Sequence, residues 1–88
     1  MLNTSQFTSD AIGDDEPITV PVYCNRIHIS QLAGDTDYTF RSPLRTSDPV
    51  QYIAGASLEL TGPFYRNQII GFIATVSGSA TFQLLCED

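Results

Sequence analysis

The sequence has no lysine and no tryptophan, and it contains one histidine, His28, and two cysteines, Cys24 and Cys86. All four cationic residues are arginines, and ten carboxylates oppose them, so the formal net charge is −6 at pH 7. A chain this acidic is repelled by the phosphate backbone of nucleic acids and by anionic membrane surfaces. We therefore expect neither nucleic acid nor a membrane among its partners.

Long hydrophobic runs are also missing. No stretch approaches the roughly 18 consecutive apolar residues that a membrane-spanning helix needs. The opening stretch "MLNTSQFTSDAIGDDEP" has neither a basic region nor an apolar region in the order of a secretion signal, so we expect no signal peptide. With 88 residues the chain has material for one domain and one small core.

Residues suited to catalysis are scarce. Nucleophilic catalysis needs Ser, Cys or Thr beside a base and an orienting group, and His28 falls at a polar position of an alternating strand pattern. The turn "GDTD" (34–37) brings only two carboxylates, which are too few for a calcium site and are typical of an Asx-type turn. The sequence therefore predicts a protein that is not an enzyme and that binds no cofactor and no metal.

The two cysteines lie in no CxxC motif and in no Cys/His cluster. We expect Cys24 and Cys86 to be reduced and buried, where they act as small hydrophobic residues. The alternative is a disulfide between the first and last strands of the domain, which requires the two Cα atoms to lie within about 7 Å.

Strand patterns dominate from Pro17 onward, and no window combines helical periodicity with capping residues. The strand-like segments are 18–23, 26–30, 37–41, 50–54, 57–61, 68–76 and 79–86. Short strands at this spacing, separated by turn residues, are typical of all-β domains. We predict a small antiparallel β-sandwich or barrel of about six to seven short strands over residues 17–88, preceded by an extended N-terminal arm.

The arm is predicted to be flexible over residues 1–16, because this segment is polar and acidic, with Phe7 and Ile12 as isolated hydrophobic residues. Two interpretations are open. The segment is a frayed tail, or it orders against a neighbouring subunit with Phe7 and Ile12 as anchors.

The stretch "QIIGFIATVSGSATFQLLC" (68–86) indicates a hairpin with its turn at Ser77 and Gly78, and both of its faces are largely apolar. A sheet with one face in water carries polar residues at every second position, and this stretch does not. A β-bulge could re-sort the faces, another part of the chain could cover the second face, or a second subunit could cover it. We predict the third, with an interface formed by Ile70, Phe72, Ala74, Val76 and Leu85, together with Phe7 and Ile12 from the arm.

A carbohydrate-binding surface is a second possibility, because sugars stack on exposed aromatic rings. Without tryptophan, the candidate platform consists of Tyr52, Phe64 and Tyr65, which fall in or near loops. The alternative is that Tyr52 is half-buried and that Phe64 folds under its own loop.

The segments "DYTFRSP", "IAGASLEL" and "NQIIGFIATVSGSATFQLLCED" resemble small virion proteins of tailed bacteriophages, over roughly residues 35–88. The resemblance is to capsid decoration or cement proteins. It implies a β-sandwich, no catalysis, self-association, most often as a trimer, and docking on the major capsid protein or another virion protein. It also implies synthesis in the bacterial cytoplasm and a final place on the virion. No site residues transfer with it. The alternatives are a glycan-binding module on a virion and a small acidic inhibitor directed at a host protein.

Overall fold

A computed structural model describes residues 2–10, 12, 16–43 and 50–87. These residues form eight β-strands and no helix, so the predicted all-β class is confirmed, with eight strands instead of six to seven. The strands are β1 (Leu2–Ser9), β2 (Glu16–Thr19), β3 (Cys24–Ala33), β4 (Tyr38–Arg41), β5 (Val50–Tyr52), β6 (Ser57–Phe64), β7 (Ile69–Thr75) and β8 (Ala80–Glu87).

The strands form two packed antiparallel sheets. The first sheet has the order β1-β8-β3-β6 and the second the order β2-β7-β4-β5. Strand β1 therefore pairs with β8, β2 with β7, β3 with β6, and β4 with β5. Nested pairs of this kind, divided between two sheets, are the topology of the eight-stranded jelly roll.

The core lies between the two sheets, on the faces that the strand alternation predicts. Strand β8 alternates fully, with Ala80, Phe82, Leu84 and Cys86 buried and the residues between them half-buried. The ring of Tyr38 from the second sheet meets the edge of Phe82 from the first, with ring centroids 5.0 Å apart. Edge-to-face contacts of this kind are favourable, so this pair ties the two sheets together at the centre of the core.

The predicted hairpin of residues 68–86 is wrong, because β7 and β8 belong to different sheets. Strand β7 pairs with β2 and β4, and β8 pairs with β1 and β3. The turn at Ser77 and Gly78 therefore carries the chain from one sheet to the other. Each of the two strands lies between two partners in its own sheet.

The predicted boundary of the N-terminal arm also differs from the structure. Strand β1 pairs with β8 along its full length, from Leu2 opposite Glu87 to Ser9 opposite Ala80. The ring of Phe7 stacks on Phe82 at a centroid distance of 5.4 Å. Residues 2–9 are thus part of the first sheet, although the rest of the predicted arm lies partly outside the described residues.

Candidate functional site

The residues predicted to form an interface do not share one surface. Ile70 and Ala74 are each only 6% exposed and belong to the interior. A β-bulge accounts for Ile70, because Ile18 pairs with Gly71 and the next residue, Thr19, pairs with Ile69. The extra residue in β7 is Ile70, and a bulge changes the side to which a side chain points. These two residues are therefore not available to a partner.

The other predicted interface residues are distributed over both sheets. Phe72 is half-buried on the outer face of the second sheet, where the guanidinium carbon of Arg41 lies 4.5 Å from the centroid of its ring. Leu85 is half-buried on the first sheet, and Val76 and Ile12 are exposed. The predicted residues therefore do not form one exposed apolar face.

A pair of exposed tyrosines lies at one end of the sandwich. Tyr23 follows β2 and Tyr65 follows β6, and their ring centroids are 5.4 Å apart with an interplanar angle of 60°. Their exposed fractions are 52% and 60%. The nearby Ile69 is also exposed, and we call these three residues the open-end patch.

Backbone hydrogen bonds fix the turns that carry the two tyrosines. The amide of Val20 donates to the carbonyl of Gln68 at 2.9 Å, and the amide of Asn67 donates to the carbonyl of Val20 at 2.8 Å. The amide of Tyr65 donates to Gln68 Oε1 at 2.9 Å. Asn67 has a φ of 70°, a left-handed conformation that asparagine adopts more readily than most residues. The aromatic pair is therefore held on preformed turns.

A cleft of about 370 Å³ adjoins the open-end patch between the two sheets. Its apolar walls come from β6 and β7 and include Leu60, Phe64 and Ile70. The polar residues Ser42, Thr61 and Gln68 also line it, together with Pro43 and with Ile69, the residue that it shares with the open-end patch. The volume falls within the range of small-molecule sites, about 300 to 1,000 Å³, and an apolar wall with a few polar groups is the usual composition of such sites.

The predicted aromatic platform is not brought together. Tyr52 is half-buried and stacks on Tyr38 at a centroid distance of 5.3 Å, and Phe64 is buried in the cleft wall. Only Tyr65 is exposed, and its partner is Tyr23, which sequence reasoning missed. The pairing depends on which turns share an end of the sandwich, and no local pattern in the sequence carries that information.

The opposite end of the sandwich is closed by a polar network around the predicted "GDTD" turn. The carboxylate of Asp37 accepts from the amide of Ala54 at 2.9 Å and from Gln51 Nε2 at 3.3 Å. The hydroxyl of Thr36 accepts from the amide of Ser77 at 2.8 Å. These bonds join the β3–β4, β5–β6 and β7–β8 turns, so Asp37 serves to tie loops together.

Charged side chains cluster on the outer face of the first sheet. Glu59 Oε1 lies 3.3 Å from Arg26 Nε, and Glu59 Oε2 lies 3.5 Å from His28 Nδ1. The other ring nitrogen of His28 lies 3.3 Å from Glu87 Oε2. Arg26 and Glu59 are exposed, and His28 and Glu87 are half-buried. Ion pairs in contact with solvent contribute little to stability. His28 is thus a surface residue between two glutamates.

Both cysteines are buried free thiols, as the sequence predicted. Burial raises the pKa of Cys86 to about 12, and a hydrogen bond with Cys24 and the charge of that residue add to the effect. Because the thiolate is the nucleophilic form, this environment makes Cys86 a poor nucleophile at neutral pH.

The comparison with known proteins identified no relative of this chain. The chain matches no protein-family model, no curated protein and no solved structure. Within the described ranges there is no group of three or more His, Cys, Asp or Glu side chains placed to hold a metal ion. The same residues contain no helix that is long and apolar enough to cross a membrane.

Proposed function

We propose that the chain is a non-enzymatic structural protein of a bacteriophage virion, which docks on the particle through the open-end patch and associates with itself. Decoration or stabilisation of the capsid is the role that the sequence resemblance favours. The observation that carries the proposal is the open-end patch, in which exposed Tyr23 and Tyr65 stand on fixed turns and Ile69 borders an apolar cleft.

The composition of this end is that of an interface. Tyrosine is enriched where proteins meet, and the residues that contribute most to binding are commonly aromatic rings in well-packed pockets. Fixed turns lower the entropy that is lost on binding. The outer face of the first sheet is different, since it carries the ionisable side chains of Arg26, His28, Glu59 and Glu87. The open end is therefore better suited to docking on a protein surface.

The jelly-roll topology supports a place on a virion by analogy with other proteins. Jelly rolls are common among viral capsid domains and among lectins, although a fold alone does not determine a function. The net charge of −6 suits a partner surface with basic residues, because complementary charge speeds encounter and guides orientation.

The proposal is tested on purified particles of the phage that encodes the chain. Tagged chain is supplied during infection, and the copies retained on gradient-purified particles are counted by quantitative mass spectrometry. We expect Tyr65→Ala and Tyr23→Ala each to lower the retained copies at least ten-fold. Ile53→Ala is the matched control, because Ile53 is 73% exposed at the opposite end of the sandwich. Absence of the unmodified chain from the particles would contradict the proposal.

Glycan binding is the second candidate function, and the same tyrosine pair favours it. The exposed aromatic rings offer a stacking surface for a sugar ring, and the cleft of about 370 Å³ that Ile69 borders offers polar groups for its hydroxyls. If the chain binds glycans, we expect specific signals on a glycan array, and we expect Tyr65→Ala to abolish them. A silent array with folded protein rules this candidate out.

A further inference from the structure

The four outermost strands of the two sheets differ in how well their free edges are protected. Natural sheets protect their edges with short strands, prolines, charges and bulges. Strand β6 contains Glu59 and Pro63, β2 has four residues with Pro17 and a bulge against its partner, and β5 has only three residues. Each of these three edges carries at least one such device.

Strand β1 carries none of them. Its eight residues, "LNTSQFTS", include no charge and no proline, and its pairing with β8 runs from Leu2 to Ser9 without a bulge. Among the described residues no strand pairs with the outer side of β1 between Asn3 and Thr8. The backbone N–H and C=O groups on that side form a ready template for another strand.

We propose that the outer edge of β1 binds a second copy of this chain, with the two β1 strands pairing antiparallel so that the two first sheets join into one continuous sheet of eight strands. This inference rests on the self-association in the proposed function and specifies where it occurs.

The sequence of β1 is complementary to itself about Gln6. With Gln6 on a two-fold axis, Thr4 of one copy faces Thr8 of the other, and Gln6 faces its own equivalent on the outer face. On the inner face Ser5 meets Phe7, whose half-buried ring already stacks on Phe82. Facing threonines and facing amides are favourable cross-strand pairs, and no like charges meet.

Charge favours a second copy at this edge over other parts of the chain's surface. Two chains of net charge −6 repel each other, and they approach most easily where carboxylates are absent. Strand β1 is the longest edge in the described structure that meets this condition. Two-fold pairing of one strand is closed, so it produces a dimer and not the trimer that the sequence resemblance implies.

Light scattering during size exclusion tests the dimer directly. We expect the mass of two chains, against 9.6 kDa for one chain, at two concentrations ten-fold apart. A monomer at both concentrations, or a trimer, would overturn the inference.

Cross-linking locates the two-fold axis. Gln6→Cys places two cysteines opposite each other, where Cβ atoms are about 5 Å apart, and we expect a short bismaleimide to link the two chains. Thr8→Cys is the matched control on the same exposed face. Its equivalent in the second copy lies about 13 Å away along the strand, so it should not link. The native Cys24 and Cys86 are buried and do not compete. Linking of both variants, or of neither, would contradict this geometry.

A charge on the axis tests the contact without any cross-linker. Gln6→Lys places two lysines face to face, and we expect self-association to weaken at least ten-fold while the thermal melt shows a folded protein. Ser57→Lys adds the same charge to an exposed position of β6, the opposite edge of the same sheet, and should leave the mass unchanged.

The outcomes separate this inference from the proposed function. An oligomer that Gln6→Lys does not weaken would show that the copies meet elsewhere, so self-association would stand and the β1 contact would fail. Copies counted on virions test docking independently, since the Gln6→Lys chain retains Tyr23 and Tyr65.

Discussion

Individual residues show how strongly the core acts on ionisable groups. Burial raises the pKa of Tyr38 to about 12, with a contribution from the charge of Tyr52, and its hydroxyl donates to the carbonyl of Ala56 at 2.6 Å. The pKa of Cys86 is raised to about 12 by burial beside Cys24. Both groups stay neutral in the folded protein far into the alkaline range. Alkaline pH therefore lowers the stability of the fold, because these groups ionise more easily in the unfolded chain.

The sign of the pH dependence follows from these shifts. Both pKa values are higher in the folded than in the unfolded chain, whose values are 9.0 for cysteine and 10.0 for tyrosine. The stability contributed by each neutral group is therefore complete below its unfolded pKa and is lost as the pH rises toward about 12. We expect the free energy of unfolding to fall by about 1.4 kcal/mol per pH unit for each group that titrates.

Urea denaturation at closely spaced alkaline pH values checks this prediction. The decline should begin near the unfolded pKa of cysteine, and Cys86→Ala should delay its onset toward that of tyrosine. If the unfolding free energy of the unmodified chain stayed constant up to the unfolded pKa of tyrosine, Cys86 would not be the group that causes the first decline.

At the scale of single elements, the bulge in β7 decides which of two neighbouring isoleucines is core. Ile70 is buried and Ile69 is 44% exposed, whereas simple alternation with Gly71 and Ile73 would bury Ile69. We expect Ile70→Ala to cost about 2–4 kcal/mol of unfolding free energy, through lost burial and a cavity. Ile69→Ala should cost less than about 1 kcal/mol. If urea unfolding showed equal losses of unfolding free energy for the two variants, or a larger loss for Ile69→Ala, the bulge would not explain which isoleucine is buried.

The elements also show how far the sequence could predict this fold. The alternating patterns at 26–30, 37–41 and 57–61 correspond to β3, β4 and β6, because half-buried strands carry a period of two. Strand β1 escaped prediction, since six of its eight residues are polar, although Phe7 packs against the core. The partners of β7 were also missed, because a four-residue connection fits a hairpin and a crossing between sheets equally well.

The candidate site was less predictable than the strands for a physical reason. Tyr65 was identified from its place in a loop, but its contact with Tyr23 joins residues 42 positions apart (65 − 23) through turns of different strand pairs. Such a contact depends on topology. The predicted interface failed at Ile70 and Ala74 because burial depends on a bulge and on central strand positions that alternation alone does not reveal.

For the whole molecule, the two ends of the sandwich have separate roles. At the closed end Thr36 and Asp37 join three turns by hydrogen bonds, and at the open end Tyr23 and Tyr65 are exposed. Successive connections between strands lie at alternate ends of the sandwich. The β3–β4, β5–β6 and β7–β8 turns therefore meet at the closed end, and the turns after β2 and β6 meet at the open end. Stability and docking should therefore respond to different substitutions.

Asp37→Ala removes the carboxylate that accepts from Ala54 and Gln51, and we expect a loss of about 1–3 kcal/mol of unfolding free energy. Below its melting temperature this variant should occupy virions as well as the unmodified chain. Tyr65→Ala should do the opposite, lowering occupancy with little change in stability, because the ring is mostly exposed. In the double variant the two effects should add, since the sites share no contact. If the Asp37→Ala variant were fully folded and still occupied fewer sites on the virion, the closed end would also contact the partner. Docking would then involve both ends of the sandwich.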